Sequence, residues 1–435
     1  MPSRRPSSLF AAAAATYGTN LAVAVLSLVN VLVIARALGA SGRGAVAFLV
    51  AVAVLSGHLG SLGVQEANAN IGGAEPELRR TLAGNSLVFA LVLGVATAAV
   101  VGGIVAVAPS VGGGSAPALL VVALGSLPLV LGKHYLSLLV QSDYGFRVTN
   151  LAWLAGPLTS VVANSAAAAL GILSVGSAIG AWAVGQALGF AVLVVSVARG
   201  AGFGSPQIGV AVRTLRFGLK THVSRFMDVG NYRADQWLLG ALAGPRELGL
   251  YSVAVAWAEV LFYLPGVLVL VQRPDLVRAR AAEAARAAAR VFRVTLVLAA
   301  GLALVLAAAA PLLCTLVFGG EFADSVPQLR VLALSAFGIT ALELLGNALT
   351  AQRKPMLEAV ATGVAFLTTL ALDLVLIPRF GGIGAAIATS VAYSAGGVAI
   401  AAIFVRSLGA RPADLRPRPS DLAWLAGKFR TRLAT

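Results

Sequence analysis

Apolar residues run through this chain in long blocks, unlike the mixed pattern of a water-facing surface. No Asp, Glu, Lys or Arg occurs from position 81 to 132, and none from 148 to 198. A helix crosses the hydrocarbon of a bilayer in about 20 residues, so each block holds two crossings. The first divides at 109–117 (PSVGGGSAP), a turn by its Pro and Gly content, and the second divides near 171–177. Extended along the chain, the pattern predicts helices near 10–37, 44–65, 82–108, 117–140, 148–170, 177–198, 217–241, 249–271, 292–317, 328–350, 356–377 and 382–405. Twelve crossings return both termini to one side. The expected fold class is therefore all-α, a polytopic membrane protein.

Composition agrees with the pattern. The 435 residues are 59% hydrophobic and 11% charged, with a mean hydropathy of +0.90. Soluble chains carry about 25% charged residues. The net charge of +15 would point to nucleic acid in a soluble protein; here it orients the spans, and no nucleic-acid partner is expected. Of the 32 Lys and Arg, twenty-three fall in loops and tails on the side of the termini. Four (Arg36, Arg43, Arg246, Arg379) fall on the other side. That asymmetry places both termini in the cytoplasm of a cell-membrane protein. The basic head MPSRRPSSLF precedes an apolar run too long for a secretory signal core, so it reads as the approach to the first helix.

One loop differs from the rest. The alanine-rich stretch 275–293, with Arg278, Arg286, Arg290 and Arg293, reads as one helix, lying along the membrane surface or serving as a linker. The tail 411–435 is basic and broken by proline. Cys314 is the only cysteine, which leaves no intrachain disulfide, and no HExxH, Walker A or GxSxG pattern occurs. No enzyme activity, cofactor or metal site is expected.

The chain repeats itself. Gly39 to Gly44 recurs as Gly244 to Gly249, 205 positions later. Ile179-Gly180-Ala181 recurs as Ile383-Gly384-Ala385 at an offset of 204. A six-helix unit used twice follows, with bundles over 1–205 and 206–410 and a tail over 411–435. An even number of crossings per unit makes the repeats parallel, with the binding site between them.

The stretch 213–249 is long enough to cross a bilayer yet carries Arg225, Asp228, Arg233 and Asp235. Each charge costs at least about 2.5–3.5 kcal/mol at the centre of a span unless it faces a wet or protein-lined interior. At about 100° per residue, these four gather with His222, Tyr232 and Gln236 on one half of the helix. That half is expected to line a cavity; the plainer reading is ion pairing that only fixes helix packing.

Four segments carry a family resemblance: IARALGASGRGAVAF from Ile34, NYRADQWLLGALAGPRELGLYSVAVA from Asn231, FGGEFADSVPQLRVLAL from Phe318 and IPRFGGIGAAIATSVAY from Ile377. Together they resemble the polysaccharide-exporter branch of the multidrug/oligosaccharidyl-lipid/polysaccharide (MOP) flippase superfamily, over nearly the whole chain. The resemblance implies two six-helix bundles in a V around a central cavity, working by alternating access. It also implies a polyprenyl-diphosphate-linked oligosaccharide as cargo, moved outward, with glycosyltransferases and a polymerase as possible partners besides membrane lipids. The lipid II flippases of the superfamily usually carry two further helices, for which this chain lacks the length.

Such a cargo needs cations in the cavity. Arg225 and Arg233 can bind phosphate oxygens through the planar guanidinium fork, with Tyr232 beside them. Lys133 lies inside the fourth span, and its plainer reading is a lysine snorkelling to the interface. His58 is a further substrate candidate; it and His134 read equally as packed polar side chains. Asp228, Asp235, Glu259 and Glu343 are candidates to couple an ion or to neutralise the cations. Alternatives from other classes are a lipid II or drug/cation transporter of the same superfamily, and a membrane scaffold that transports nothing.

Overall fold

The computed structural model describes residues 9–418 and Asp421, excepting the side chains of 9–14, 110, 111, 223–225, 228, 270, 271 and 274. No strand occurs among the described residues. The α-helices are α1 (Leu9–Gly60), α2 (Val64–Ala74), α3 (Arg79–Val107), α4 (Pro117–Gly125), α5 (Leu127–Gln141), α6 (Phe146–Ala169), α7 (Val175–Arg199), α8 (Ile208–Ala258), α9 (Val260–Arg278), α10 (Ala281–Pro311), α11 (Ser325–Leu332), α12 (Ser335–Ala351) and α13 (Pro355–Leu408).

Nine helical stretches among the described residues are long and apolar enough to cross a membrane. Three of them, Ala15–Gly60, Val229–Val269 and Pro355–Leu408, run to 46, 41 and 54 residues, long enough for two crossings each. Each breaks at a glycine with left-handed φ: Gly39 (67°), Gly244 (87°) and Gly381 (55°). With both limbs of each counted, the twelve expected crossings are present. The described residues pack as two compact units, within Met1–Gly249 and within Leu250–Thr435. This division runs through α8, whereas the sequence repeat predicts a boundary at 205/206.

In the first unit, Ile34 and Val46 pack in one cluster with Ala178. A straight helix would hold them about 18 Å apart, so α1 folds back at Gly39. Its first limb runs parallel to α6: Asn150 Nδ2 donates to Thr16 Oγ1 (3.2 Å) and Asn164 Nδ2 to Asn30 Oδ1 (2.8 Å). At the end away from Gly39, Arg79 pairs with Asp143 (2.6 Å) and donates to the carbonyls of Gly72 and Ser142. Asn85 and Gln207 exchange two hydrogen bonds at 3.2 and 3.0 Å, which fixes the segment before α8.

The repeated glycine turns meet each other. A Cβ on Gly44 would lie 1.6 Å from the carbonyl oxygen of Pro245, and one on Gly249 would lie 1.8 Å from that of Ala40. Pro245 stands to Gly244 as Ala40 stands to Gly39, so the two contacts are reciprocal, as a local two-fold relation of the turns requires. Between helices in lipid, such backbone approach replaces the hydrophobic drive available in water.

The second unit sorts its loops in the same manner. Ser325 Oγ donates to the Leu250 carbonyl (2.7 Å), and Trp257 meets Phe318 edge-on at 6.2 Å, near one end. Cys314 is buried in the short π-helical segment that follows α10, at the far end of the ninth crossing. At the other end Gln352 Nε2 donates to the carbonyls of Leu276 on α9 (2.6 Å) and of Ala279 just past its end (3.2 Å).

The stretch 275–293 departs from expectation. It is not one surface helix: α9 ends at Arg278, Ala279 and Arg280 are extended, and Ala281 opens α10, which continues to Pro311. Ala284, Ala285 and Ala288 are buried against Leu344, Leu345 and Phe404; the alanines are small because helices approach there. Arg293 is buried as well. Its Nε and Nη2 donate to Asp421 (2.7 and 2.8 Å) and its Nη1 to the Asp414 carbonyl (2.6 Å), which straps the tail to α10.

Two predictions follow from these contacts. Gly44→Ala and Gly249→Ala each drive a methyl into backbone, and each should destabilise the detergent-solubilised protein by about 1–3 kcal/mol in thermal unfolding. The Arg293 guanidinium holds the Asp421 carboxyl below its ordinary value. A depressed acid stabilises docking above its unfolded pKa, and that contribution is lost as pH falls through the folded value. Limited proteolysis should find the tail protected at pH 7 and released only in acid below the usual carboxylate range. Asp421→Asn should release it at neutral pH, at a cost of roughly 1.5–3 kcal/mol.

Candidate functional site

Along α5, Val130, Lys133, His134, Ser137, Leu138 and Gln141 recur at helical spacing and share one face. That face borders a cavity of about 400 Å³ within the first unit. The opposite walls are Val54 and His58 from α1, Gln65 and Glu66 from α2, and Val229 from α8. Trp153 of α6 and, from α7, Trp182 and Gln186 complete the described lining.

Local geometry explains why these side chains converge. The turn between α1 and α2 puts Leu62 (φ 47°) and Gly63 (φ 69°) in the left-handed region. For a bulky residue such as Leu62 that conformation is a strain of about 1–3 kcal/mol, the kind that persists where surroundings over-determine it. Here they do. Tyr135, fully buried, donates its hydroxyl to the Ser61 carbonyl (3.2 Å), Ser61 Oγ donates to the His58 carbonyl (2.9 Å), and Gln65 Nε2 donates to Ser61 Oγ (3.4 Å). Gly63 also abuts α8: a Cβ there would sit 2.2 Å from the Gly218 carbonyl oxygen. On the other wall, Gly185 packs on Gly156, and Gly189 on Ala152 and the stem of Lys133. This close approach brings Gln186 to the lysine.

Lys133 is only 4% exposed. Its Nζ donates to Gln186 Oε1 at 2.5 Å and lies 4.5 Å above the Trp153 ring. Burying an ammonium costs several kcal/mol, so this is not a lysine snorkelling to the interface. A cation over an indole recovers up to about 2 kcal/mol when desolvated. His134 sits between two rings, 5.2 Å from His58 and 5.2 Å from Trp153. Gln65 is buried, its Nε2 also reaches Glu66 Oε1 (3.3 Å), and its Oε1 finds no donor among the described residues.

Of the candidates read from sequence, the structure brings Lys133 and His58 together and adds His134. Tyr232 and Arg233 are half-buried on α8 and are not among the described lining residues. Asp235 is buried on the same helix, its Oδ1 accepting from the Gln236 N–H at 2.7 Å. Glu259, between α8 and α9, and Glu343, on α12, are half-buried in the second unit. The side chains of Arg225 and Asp228 lie outside the described residues. Sequence reasoning missed Gln65, Glu66, Gln141, Trp153, Trp182 and Gln186. The α5 stripe was readable, since four polar residues share one face of an apolar helix; its partners on other helices carried no spacing signal.

A two-unit, twelve-crossing helical protein with a polar cavity inside one unit has the architecture of membrane transporters, and the solved structures it resembles agree. Lipid II flippase MurJ in an inward closed conformation superposes with a TM-score of 0.69 at 13% identity, covering 92% of this chain and 88% of that one. An inward-facing multidrug resistance MATE family transporter of the MOP superfamily gives 0.65 at 15% identity, covering 89% and 95%. A MOP superfamily transporter from Pyrococcus furiosus, described as having a binding pocket of reverse polarity, gives 0.58 at 14%, covering 91% and 94%. At these identities the likeness establishes the MOP flippase fold. No curated protein sequence matches the chain. The family described as "Polysaccharide biosynthesis protein" matches residues 33–327. The chain belongs to that family and is a multi-pass membrane protein.

The lysine pair generates a test of burial. Gln186→Leu should destabilise the protein by about 1–3 kcal/mol in thermal unfolding, because a buried ammonium loses its acceptor. Lys133→Met together with Gln186→Leu should recover most of that loss, since both polar partners are then gone.

Proposed function

We propose that this protein is a flippase that carries a polyprenyl-diphosphate-linked oligosaccharide across the cytoplasmic membrane, with both termini inside, for surface or exopolysaccharide biosynthesis. One observation carries the reading: Lys133, a buried cation within a membrane-spanning bundle, borders a polar cavity and is hydrogen-bonded to a neutral amide. A lysine that only held helices together would do so at lower cost with a carboxylate partner in contact. Membership of the polysaccharide biosynthesis family supports the cargo class. Glu66 in the same cavity favours a second reading, export of an organic cation. A scaffold that transports nothing would tolerate loss of either charge.

The direction of transport has a physical source in this reading. An inside-negative potential pushes anions outward at about 2.3 kcal/mol per charge per 100 mV. A linker with about two negative charges therefore gains roughly 4–5 kcal/mol without a coupling ion. Flipping of a fluorescent lipid-linked glycan in proteoliposomes should respond to a valinomycin–potassium potential at equal pH and sodium. Lys133→Met should lower the rate at least tenfold with protein levels unchanged. Normal flipping by that variant, or by Arg233→Ala for the α8 cations, would remove the corresponding residue from the cargo path.

A further inference from the structure

Resting on the flippase reading, we infer that the cavity of the first unit is a sugar subsite: it holds carbohydrate of the cargo. Three features of the described lining lead there. First, among the described lining residues a carboxylate offsets the cation. Lys133 is the only lysine or arginine among them and Glu66 the only carboxylate. The Lys133 ammonium already spends a donor on Gln186, and the Glu66 carboxylate stands in the same lining.

Second, the polar groups are of the kind that recognise hydroxyls. Gln65, Gln141 and Gln186 each carry both a donor and an acceptor. A sugar hydroxyl also donates and accepts at once, so neighbouring hydroxyls pair naturally with an amide. Gln65 Oε1 finds no donor among the described residues, which leaves an acceptor for a ligand to satisfy. Phosphate oxygens only accept and gain nothing from it.

Third, Trp182 supplies a flat apolar face in a chamber of about 400 Å³. The ring carbons of a pyranose present a matching apolar C–H face. That volume falls in the range of small-ligand pockets, about 300–1,000 Å³, so a short sugar segment fits and a polyprenyl chain does not. Removing a sugar from such a site leaves buried polar groups unpaired, which is how a hydrogen-bonding pocket discriminates strongly.

The experiment compares two lipids on the full chain in nanodiscs: the lipid-linked glycan pool extracted from the source cells, and undecaprenyl diphosphate bearing no sugar. The measured quantity is the ratio of their affinities. The wild type should prefer the glycan lipid by more than tenfold. Gln65→Met and Trp182→Leu should each shrink that preference at least fivefold, with Trp182→Phe retaining most of it. Gln141→Leu, which removes another amide of the lining, serves if Gln65→Met unfolds, and should also shrink it. A preference that survives these changes, or a wild type that binds both lipids equally, overturns the sugar subsite and leaves the flippase reading standing. A wild type that binds neither lipid overturns both.

Discussion

Backbone contact between helices is the constraint on which this structure rests. In hydrocarbon a helix gains little by covering apolar side chains, since lipid tails cover them equally well. What remains is close van der Waals approach, and that needs small residues at the crossing points. The reciprocal contacts of Gly44 with Pro245 and of Gly249 with Ala40 meet this need, as do Gly63 with Gly218 and Gly185 with Gly156. Each fixes where neighbouring side chains stand. The Gly63 contact holds the turn that presents Gln65 and Glu66; the Gly185 contact sets α7 close enough for Gln186 to reach Lys133.

The cavity follows from that packing and from the cost of charge. A buried ammonium has to be solvated by something, and here an amide oxygen and an indole face do it. Neither neutralises the charge. The site is therefore polar, aromatic and poised, while the lipid-facing side chains of α3 and α6, such as Leu91, Val95, Leu151 and Val162, are exposed and apolar.

Much of this was legible in the sequence. The charge-free runs gave the crossings because the bilayer imposes one length on every helix. The turns at Gly39 and Gly244 stood out because a left-handed break between long helices demands glycine. Lys133 and His58 were legible as polar residues in apolar spans. Their neighbours were not, because Gln186 and Glu66 meet them only after α7 and α2 take up their rotation about their axes. The stretch 275–293 misled for a different reason. Alanine with periodic arginine describes a surface helix and a tightly packed helix entry equally well, and the deciding partner, Asp421, lies 128 positions from Arg293.

That separation bears on how the molecule is made. A ribosome delivers Arg293 well before Asp421, so the arginine must wait at the mouth of α10 through the synthesis of every later helix. During that interval neither oxygen of the Asp421 carboxylate is there to accept from it. The last helices therefore assemble around an open charge, and the second unit reaches its final form only when the tail arrives to close it. A chain cut short after α13 would leave that guanidinium without the carboxylate and the carbonyl that hold it.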